Sequence, residues 1–264
     1  MNDLLTAEPV IRLSLFTATV IVLVISERAR GRRTPRPRPT RWTNVGLLVT
    51  NTVLLRIVST SSLIGISLMA QTAGWGVLSL IQLPSAIEIA LAFVALDLVM
   101  YLQHRLYHWL PLLWRLHRVH HTDIDFDLST GIRFHPGEML FSFAIKAAAV
   151  VVLGAAPVAV LCFELVLSSS SLFTHANLTL PARLDGALRR IIVTPDMHRI
   201  HHCVSPDEHN RNFGFFLSWW DHLLGSYRQS PRGNHADMPI GLGEFRGVDE
   251  QTYIALMKQP WATE

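Results

Sequence analysis

Gln103 to His121 reads QHRLYHWLPLLWRLHRVHH and places five histidines close together, at His104, His108, His117, His120 and His121. His104 and His108 are four residues apart and so share one face of a helix. His117 and His121 repeat that spacing with His120 between them, and the triplet forms a second cluster. A further triplet of the same form, His198, His201 and His202, lies in TPDMHRIHH. Any one of these motifs alone is as readily a polar helix face. An H-x3-H with two H-x2-H-H motifs in one chain points instead to metal. Neutral imidazole suits iron, copper, nickel and zinc, and two such faces set against each other can hold more than one ion.

Outward from this stretch the chain is apolar. Of its 264 residues 50% are hydrophobic and 16% charged, against about 25% charged in ordinary globular proteins, which points to a membrane protein with a polar portion. Cys162 and Cys203 are too few for a disulfide framework or a thiolate cage, and Cys203 beside His202 is read as a bystander. The first apolar run, Val10 to Ile25, is followed rather than preceded by arginines and has no small-residue cleavage site, so it reads as an uncleaved membrane helix. ERARGRRTPRPRPTR, Glu27 to Arg41, carries seven arginines and three prolines. It cannot pack as a helix and forms a basic linker, taken as 27–43. Its place between membrane segments favours contact with anionic headgroups over a nucleic-acid arm.

A second span is expected from Val45 to Ala70, followed by a partly inserted segment around Trp75. A third runs from Ala86 to Leu102. Met139 to Phe173 is apolar again, broken at Gly154 to Pro157, and reads as a hairpin. The positive-inside rule puts the arginine linker in the cytoplasm. Counting spans from there brings every histidine motif to the same, cytoplasmic side. The division expected is 1–84 for the N-terminal membrane helices, 85–230 for the catalytic domain and 231–264 for a tail whose weak patterning implies no function. The fold class is all-α: a multi-pass transmembrane helical protein with a cytoplasmic histidine-rich cap holding a di-metal site.

The hairpin would return His135, in RFHPGE, and His175, in FTHANLTLP, to the surface where the motifs lie. Both are therefore candidate ligands, with Glu138 and Asn177 as partners that would orient them or hold water. Asp97 lies about two turns before His104. It either orients an imidazole or hydrogen-bonds a neighbouring helix. Asp123, Asp125 and Asp127 read as solvated loop acids. His209 and His222 fall outside the motif spacing, and His235 is expected at the surface.

HRLYH at His104 to His108, LHRVHH at His117 to His121, FHPGE at His135 to Glu138, MHRIHH at His198 to His202 and NFGFFLSWWDHLLGSY at Asn212 to Tyr227 together resemble the fatty acid hydroxylase superfamily of integral-membrane enzymes. The bacterial sterol-desaturase-like branch is the nearest fit, and the resemblance runs from about Asp97 to Tyr227. It implies a non-haem di-iron site bound almost wholly by histidine: His104, His108, His117, His120, His121, His175, His198, His201 and His202. Some members space the first pair H-x4-H and carry an H-x3-H before the last triplet. This chain has H-x3-H first and only His175 in the later place, so His135 is expected to take the tenth.

The resemblance further implies dioxygen as co-substrate and hydroxylation or desaturation of an unactivated C–H bond in a lipid, fatty acyl or sterol-like substrate. Zinc can replace iron in purified protein, since it binds nitrogen sites more tightly than Fe(II). No Rossmann glycine pattern, C-x-x-C-H or fused cytochrome b5-like segment is present. A separate electron donor of ferredoxin, cytochrome b5 or reductase type is therefore expected, and no nucleic acid. Two rivals fit less well. A metal transporter would place its histidines near the bilayer midplane, and a zinc hydrolase needs only three or four ligands.

Overall fold

The computed structural model describes residues 2–34, 40–59 and 61–263. Regular structure among them is helical, apart from isolated β-bridges at Gly31–Leu178, Ile192–Leu217 and Cys203–Ile240. α1 (Asn2–Arg30) is a long apolar helix whose Val10, Leu13, Ile21, Val22 and Ile25 face outward. Apolar side chains on the outside of a long helix are stable against lipid rather than water. α2 (Thr40–Val58) and α3 (Leu63–Thr72) occupy the stretch expected to be one span. The interruption falls in a Ser/Thr-rich run, where Ser62 caps α3 by accepting from the Gly65 N–H at 3.2 Å. Such side chains offer the backbone an alternative to the helical ladder and the helix breaks there, while Thr40–Thr72 as a whole remains long and apolar enough for the one span expected.

α4 (Ser85–Trp109) has 25 residues. At 1.5 Å per residue it is about 37 Å long, more than the roughly 30 Å hydrocarbon core. Its final turns, with His104 and His108, therefore extend beyond the apolar layer. The chain then reverses. Leu110 precedes Pro111 and is held extended at φ −93°, ψ 119°, as proline requires of its predecessor. α5 (Pro111–His121) begins on that proline and folds back, so its histidines meet those of α4.

α6 (Pro136–Leu153) and α7 (Pro157–His175) form the hairpin. Gly154 ends α6 in the left-handed region at φ +66°, and a Cβ there would stand 2.5 Å from the Trp75 carbonyl. Gly76, at φ +98°, approaches so closely that its Cβ would fall 2.1 Å from Gly154 N. The segment around Trp75 thus packs on the hairpin tip, with the Val77 N–H donating to Val152 O at 2.9 Å. Leu63, Ile64, Leu96, Val150, Val160 and Phe163 bury against one another between α3, α4, α6 and α7. Five segments of the described chain are long and apolar enough to cross a membrane: Thr6–Arg30, Thr40–Thr72, Ser85–Trp109, Pro136–Leu153 and Pro157–His175.

Beyond α7 the helices are short: α8 (Ala182–Leu188), α9 (Pro195–His201), α10 (Pro206–His209), α11 (Trp219–Leu223) and α12 (Tyr253–Lys258). The C-terminal segment, expected to be featureless, wraps the histidine helices. Gln251 accepts from the buried Arg133 at 2.8 Å, and Arg118 donates to the Gln259 and Ala262 carbonyls at 2.6 and 2.7 Å. The arginine linker also engages protein. Arg32 pairs with Asp196, Arg33 donates to the Met238 carbonyl at 2.8 Å, and Arg41 pairs with Asp127 at 2.6 Å. These three are protein contacts rather than headgroup contacts. Arg36 and Arg38 lie outside the described residues.

Candidate metal centre

α4, α5, α7 and α9 bring nine of the ten candidate histidines into two adjoining groups. One comprises His104, His108, His117, His121 and His201, the other His120, His175, His198 and His202. Within each group one nitrogen of every ring lies within 4.8 Å of all the others. The groups share a wall: the His121 and His202 rings stack at 4.6 Å, and His117 and His120 stand 5.3 Å apart. The helical triplet explains this. On α5, His117 and His121 face α4, while His120, one residue to the side, faces α7 and α9.

The inward atoms are Nε2. In the first group His104 meets His117 at 3.1 Å, His108 meets His121 at 3.1 Å and His121 meets His117 at 3.2 Å. In the second, His175 stands 3.1 Å from His120, 3.1 Å from His198 and 3.2 Å from His202. The outward Nδ1 atoms settle the tautomers. His104 donates to the Phe213 carbonyl at 2.8 Å, His117 to Glu138 Oε1 at 2.7 Å and His201 to the Arg211 carbonyl at 2.8 Å. His175 donates to the Ser171 carbonyl at 2.6 Å and His120 to the Arg133 carbonyl at 3.2 Å. A carbonyl only accepts, so on the four rings held by carbonyls the proton sits on Nδ1 and Nε2 presents its lone pair inward, and an ionised Glu138 would hold His117 the same way.

Lone pairs converging at this distance repel unless a cation lies among them. Two nitrogens at right angles, each about 2.1 Å from one metal, stand about 3.0 Å apart, close to the spacings found. His201 Nε2 is buried with no hydrogen-bond partner, as a ligand atom would be. The donor set fits a metal in each group. Burial, and then mutual proximity, hold His117, His120, His121, His198, His201 and His202 well below the ordinary histidine pKa, so each is neutral, the form that binds metal.

His135 does not join either group. It caps α6, its Nδ1 accepting from the Gly137 N–H at 3.0 Å while Nε2 donates to the Met257 carbonyl at 3.3 Å. It stands just before Pro136 and turns toward its own helix end. His175, the last residue of α7, points inward. Cys203 donates to Glu208 at 3.0 Å and stays out of both groups. His209 stacks on Trp114, and His222 donates to the Arg189 carbonyl at 3.2 Å.

Glu138 does orient an imidazole. Asn177 instead bonds the Arg33 backbone, accepting from its N–H at 2.9 Å and donating to its carbonyl at 2.8 Å. Asp97 takes the second of its two expected roles. It accepts from the Leu217 N–H at 3.2 Å and the Trp220 indole at 2.8 Å, which fixes the segment bearing Asp221. Asp221 in turn accepts from the Phe213 and Gly214 N–H groups at 2.8 and 2.9 Å and so sets the carbonyl that orients His104. Asp123 is buried rather than solvated, accepting from Asn44 and Thr130 at 3.0 Å each. His235 is half-buried, its carbonyl accepting from Arg33 at 3.2 Å.

A cavity of about 260 Å³ lies between the long helices and ends under the histidines. Gln103, Phe134, Glu138 and Ser171 form that end: Phe134 stacks on His120 at 4.6 Å, and Glu138 and Ser171 hold His117 and His175. Leu48, Leu55, Met100, Ile132 and Leu167 make much of the remaining wall. On the opposite side, a surface recess lined by Arg105, Trp109, Asn210 and Phe213 reaches the half-buried His108.

Comparison with known proteins identifies the family. The family model described as fatty acid hydroxylase matches residues 89–226. An ornithine lipid hydroxylase, OlsE, of Rhizobium tropici is 33% identical over 182 residues, covering 69% of this chain and 52% of that protein. An alkylglycerol monooxygenase of Danio rerio is 28% identical over 197 residues, 72% of this chain and 42% of the relative. The human alkylglycerol monooxygenase is 27% identical over 137 residues, 52% of this chain and 29% of the relative. The chain thus spans about half, or less, of the length of these relatives. No solved structure matches it.

Proposed function

This chain belongs to the fatty acid hydroxylase family, and on that premise we propose that it is a membrane-bound, dioxygen-dependent oxidoreductase that hydroxylates an unactivated C–H bond of a lipid. The observation that carries the proposal is the pair of adjoining groups of converging Nε2 atoms beside a mostly apolar cavity whose lining residues Phe134, Glu138 and Ser171 touch His120, His117 and His175. In this reading the nine histidines hold two metal ions, iron in the working enzyme, and the catalytic domain is 85–230. Bound there, two irons would supply the redox chemistry that activates dioxygen toward a C–H bond.

The chain's own residues do the rest. Glu138 and the Phe213, Arg211, Ser171 and Arg133 carbonyls lock the imidazoles in their ligand tautomer. The cavity wall excludes water and holds an alkyl chain against the histidines. A transporter is disfavoured because the histidines cluster at helix ends rather than on broken helices at mid-depth. Electrons come from a separate donor protein. The Arg-rich stretch from the last turn of α1 onward favours a cytoplasmic side for the histidines.

Lipid profiles of a host with and without the protein test the reaction. Gain of one oxygen in a lipid class is the expected result, and loss of two hydrogens would make it a desaturase. No lipid change, with no oxygen consumption by iron-loaded protein given a reductant, overturns the proposal. For sidedness, Thr34→Cys and Ser230→Cys in a Cys162→Ala background should resist an impermeant thiol reagent applied to intact cells. Labelling of either reverses the orientation.

A further inference from the structure

The cavity has a second, charged end. Arg12 of α1 pairs with Glu164 of α7 at 2.5 Å and with Glu8 at 2.8 Å. Lys146 of α6 also lines this end, its Nζ 3.8 Å from Glu164 Oε1. Lys146 follows Glu138 by eight residues, about 12 Å along the helix, and Glu164 precedes His175 by eleven, about 16 Å. The cluster therefore sits near the middle of both helices of the hairpin, at a depth where ionisable residues are costly and mark substrate paths.

An outer groove adjoins the cavity here. It shares Arg12 and Glu164 with it and is flanked by the exposed Leu13 and Arg56. A purely structural bridge between α1 and α7 would need only Arg12 and Glu164. Lys146 and Arg56 are additional: Arg12, Lys146 and Arg56 line cavity and groove together with Glu138 and Glu164, while Glu8 holds Arg12. The 3.8 Å separation is longer than a hydrogen bond, which leaves the Lys146 ammonium with donors to spare and aimed at the cavity.

We propose that Lys146 and Arg12 form a subsite for the acidic group of an amphiphilic lipid, a carboxylate or a phosphate, with the alkyl chain running from there toward the histidines. The direction of the chain rests on the oxidation reading above; the binding of the acid does not. An anion there meets the spare Lys146 donors in a low-dielectric wall, where such contacts are strong. Glu164 competes for the same cations and keeps them ordered when the subsite is empty.

The test uses the full chain in phosphatidylcholine nanodiscs and three probes of one chain length: palmitate, hexadecyl phosphate and hexadecanol. Wild type should bind at least one of the two acids about tenfold or more tightly than the alcohol, a difference of about 1.4 kcal/mol. Which acid it prefers identifies the group. Lys146→Met should bring acid and alcohol to within about twofold without weakening the alcohol. Lys146→Arg should keep the preference, and Glu164→Gln should enlarge it. Equal binding of all three probes by wild type, or full acid preference in Lys146→Met, overturns the subsite. Metal content and oxygen consumption of the same wild-type samples are read separately. Their failure would remove the oxidation reading and leave the acid preference standing.

Discussion

The two histidine groups are built from the same motifs but are not equivalent. The first has five imidazoles, one of them, His108, half-buried beside a surface recess. Its outward nitrogens meet a carboxylate and a side-chain amide, Glu138 and Asn210, as well as the Phe213 and Arg211 carbonyls. The second has four imidazoles, all buried, and the outward contacts of His120 and His175 are the Arg133 and Ser171 carbonyls and the Thr174 hydroxyl, with no carboxylate among them. A carboxylate raises the basicity of the ring it holds more than a neutral carbonyl does. If each group holds a metal, the first would be the richer in ligands and the second would keep more open positions for reactants.

The largest expected contrast comes from removing one imidazole from each. His175→Ala leaves three ligands in the second group, and should lose that metal and essentially all turnover. His108→Ala leaves four in the first, and should keep two metals with weakened affinity and partial turnover. Elemental analysis and oxygen uptake on both variants check this, and equal loss in the two would erase the distinction. Glu138→Gln keeps an acceptor for His117 but removes its charge. A fall of about 10- to 100-fold in metal affinity or rate is expected, confined to the first group and measured by competition with a chelator.

Gln251→Ala withdraws an acceptor from the buried Arg133, whose carbonyl orients His120. It should cost about 1–3 kcal/mol of stability, seen as a lower thermal midpoint, with the second group's metal lost before the first's. The smallest effect is expected at His135. His135→Ala removes a helix cap worth about 1 kcal/mol and should retain both metals and most turnover, as should His222→Ala. A metal-free His135→Ala protein would return that residue to the ligand set.

Much of this was legible in the sequence because coordination needs side chains on fixed faces. H-x3-H and H-x2-H-H spacings survive any detail of packing, and Gly154–Pro157 announces the hairpin; the reversal at Leu110–Pro111 emerges only from the structure. His135 and His175 could not be separated in the same way. Both stand at helix ends, and only the packed structure shows one turned to its own Gly137 N–H and the other turned inward. The groups that orient the rings left almost no signal, since Phe213, Arg211, Ser171 and Arg133 contribute carbonyls that any residue supplies. The tail was unreadable for a related reason: Gln251 and Gln259 matter through a few hydrogen bonds to Arg133, Arg118 and Thr122, which produce no periodicity. Arg12, Lys146 and Glu164 were passed over because each is a lone charge in an apolar run. An ionisable residue inside a span was the signal that could have found them.

The central claim is that the nine histidines make two metal sites rather than one site and a set of bystanders. Elemental analysis of folded, iron-reconstituted protein across a titration tests it most directly. The expected result is two equivalents of iron per chain, falling to one in His175→Ala. Saturation at a single equivalent in wild-type protein that still consumes oxygen would contradict it.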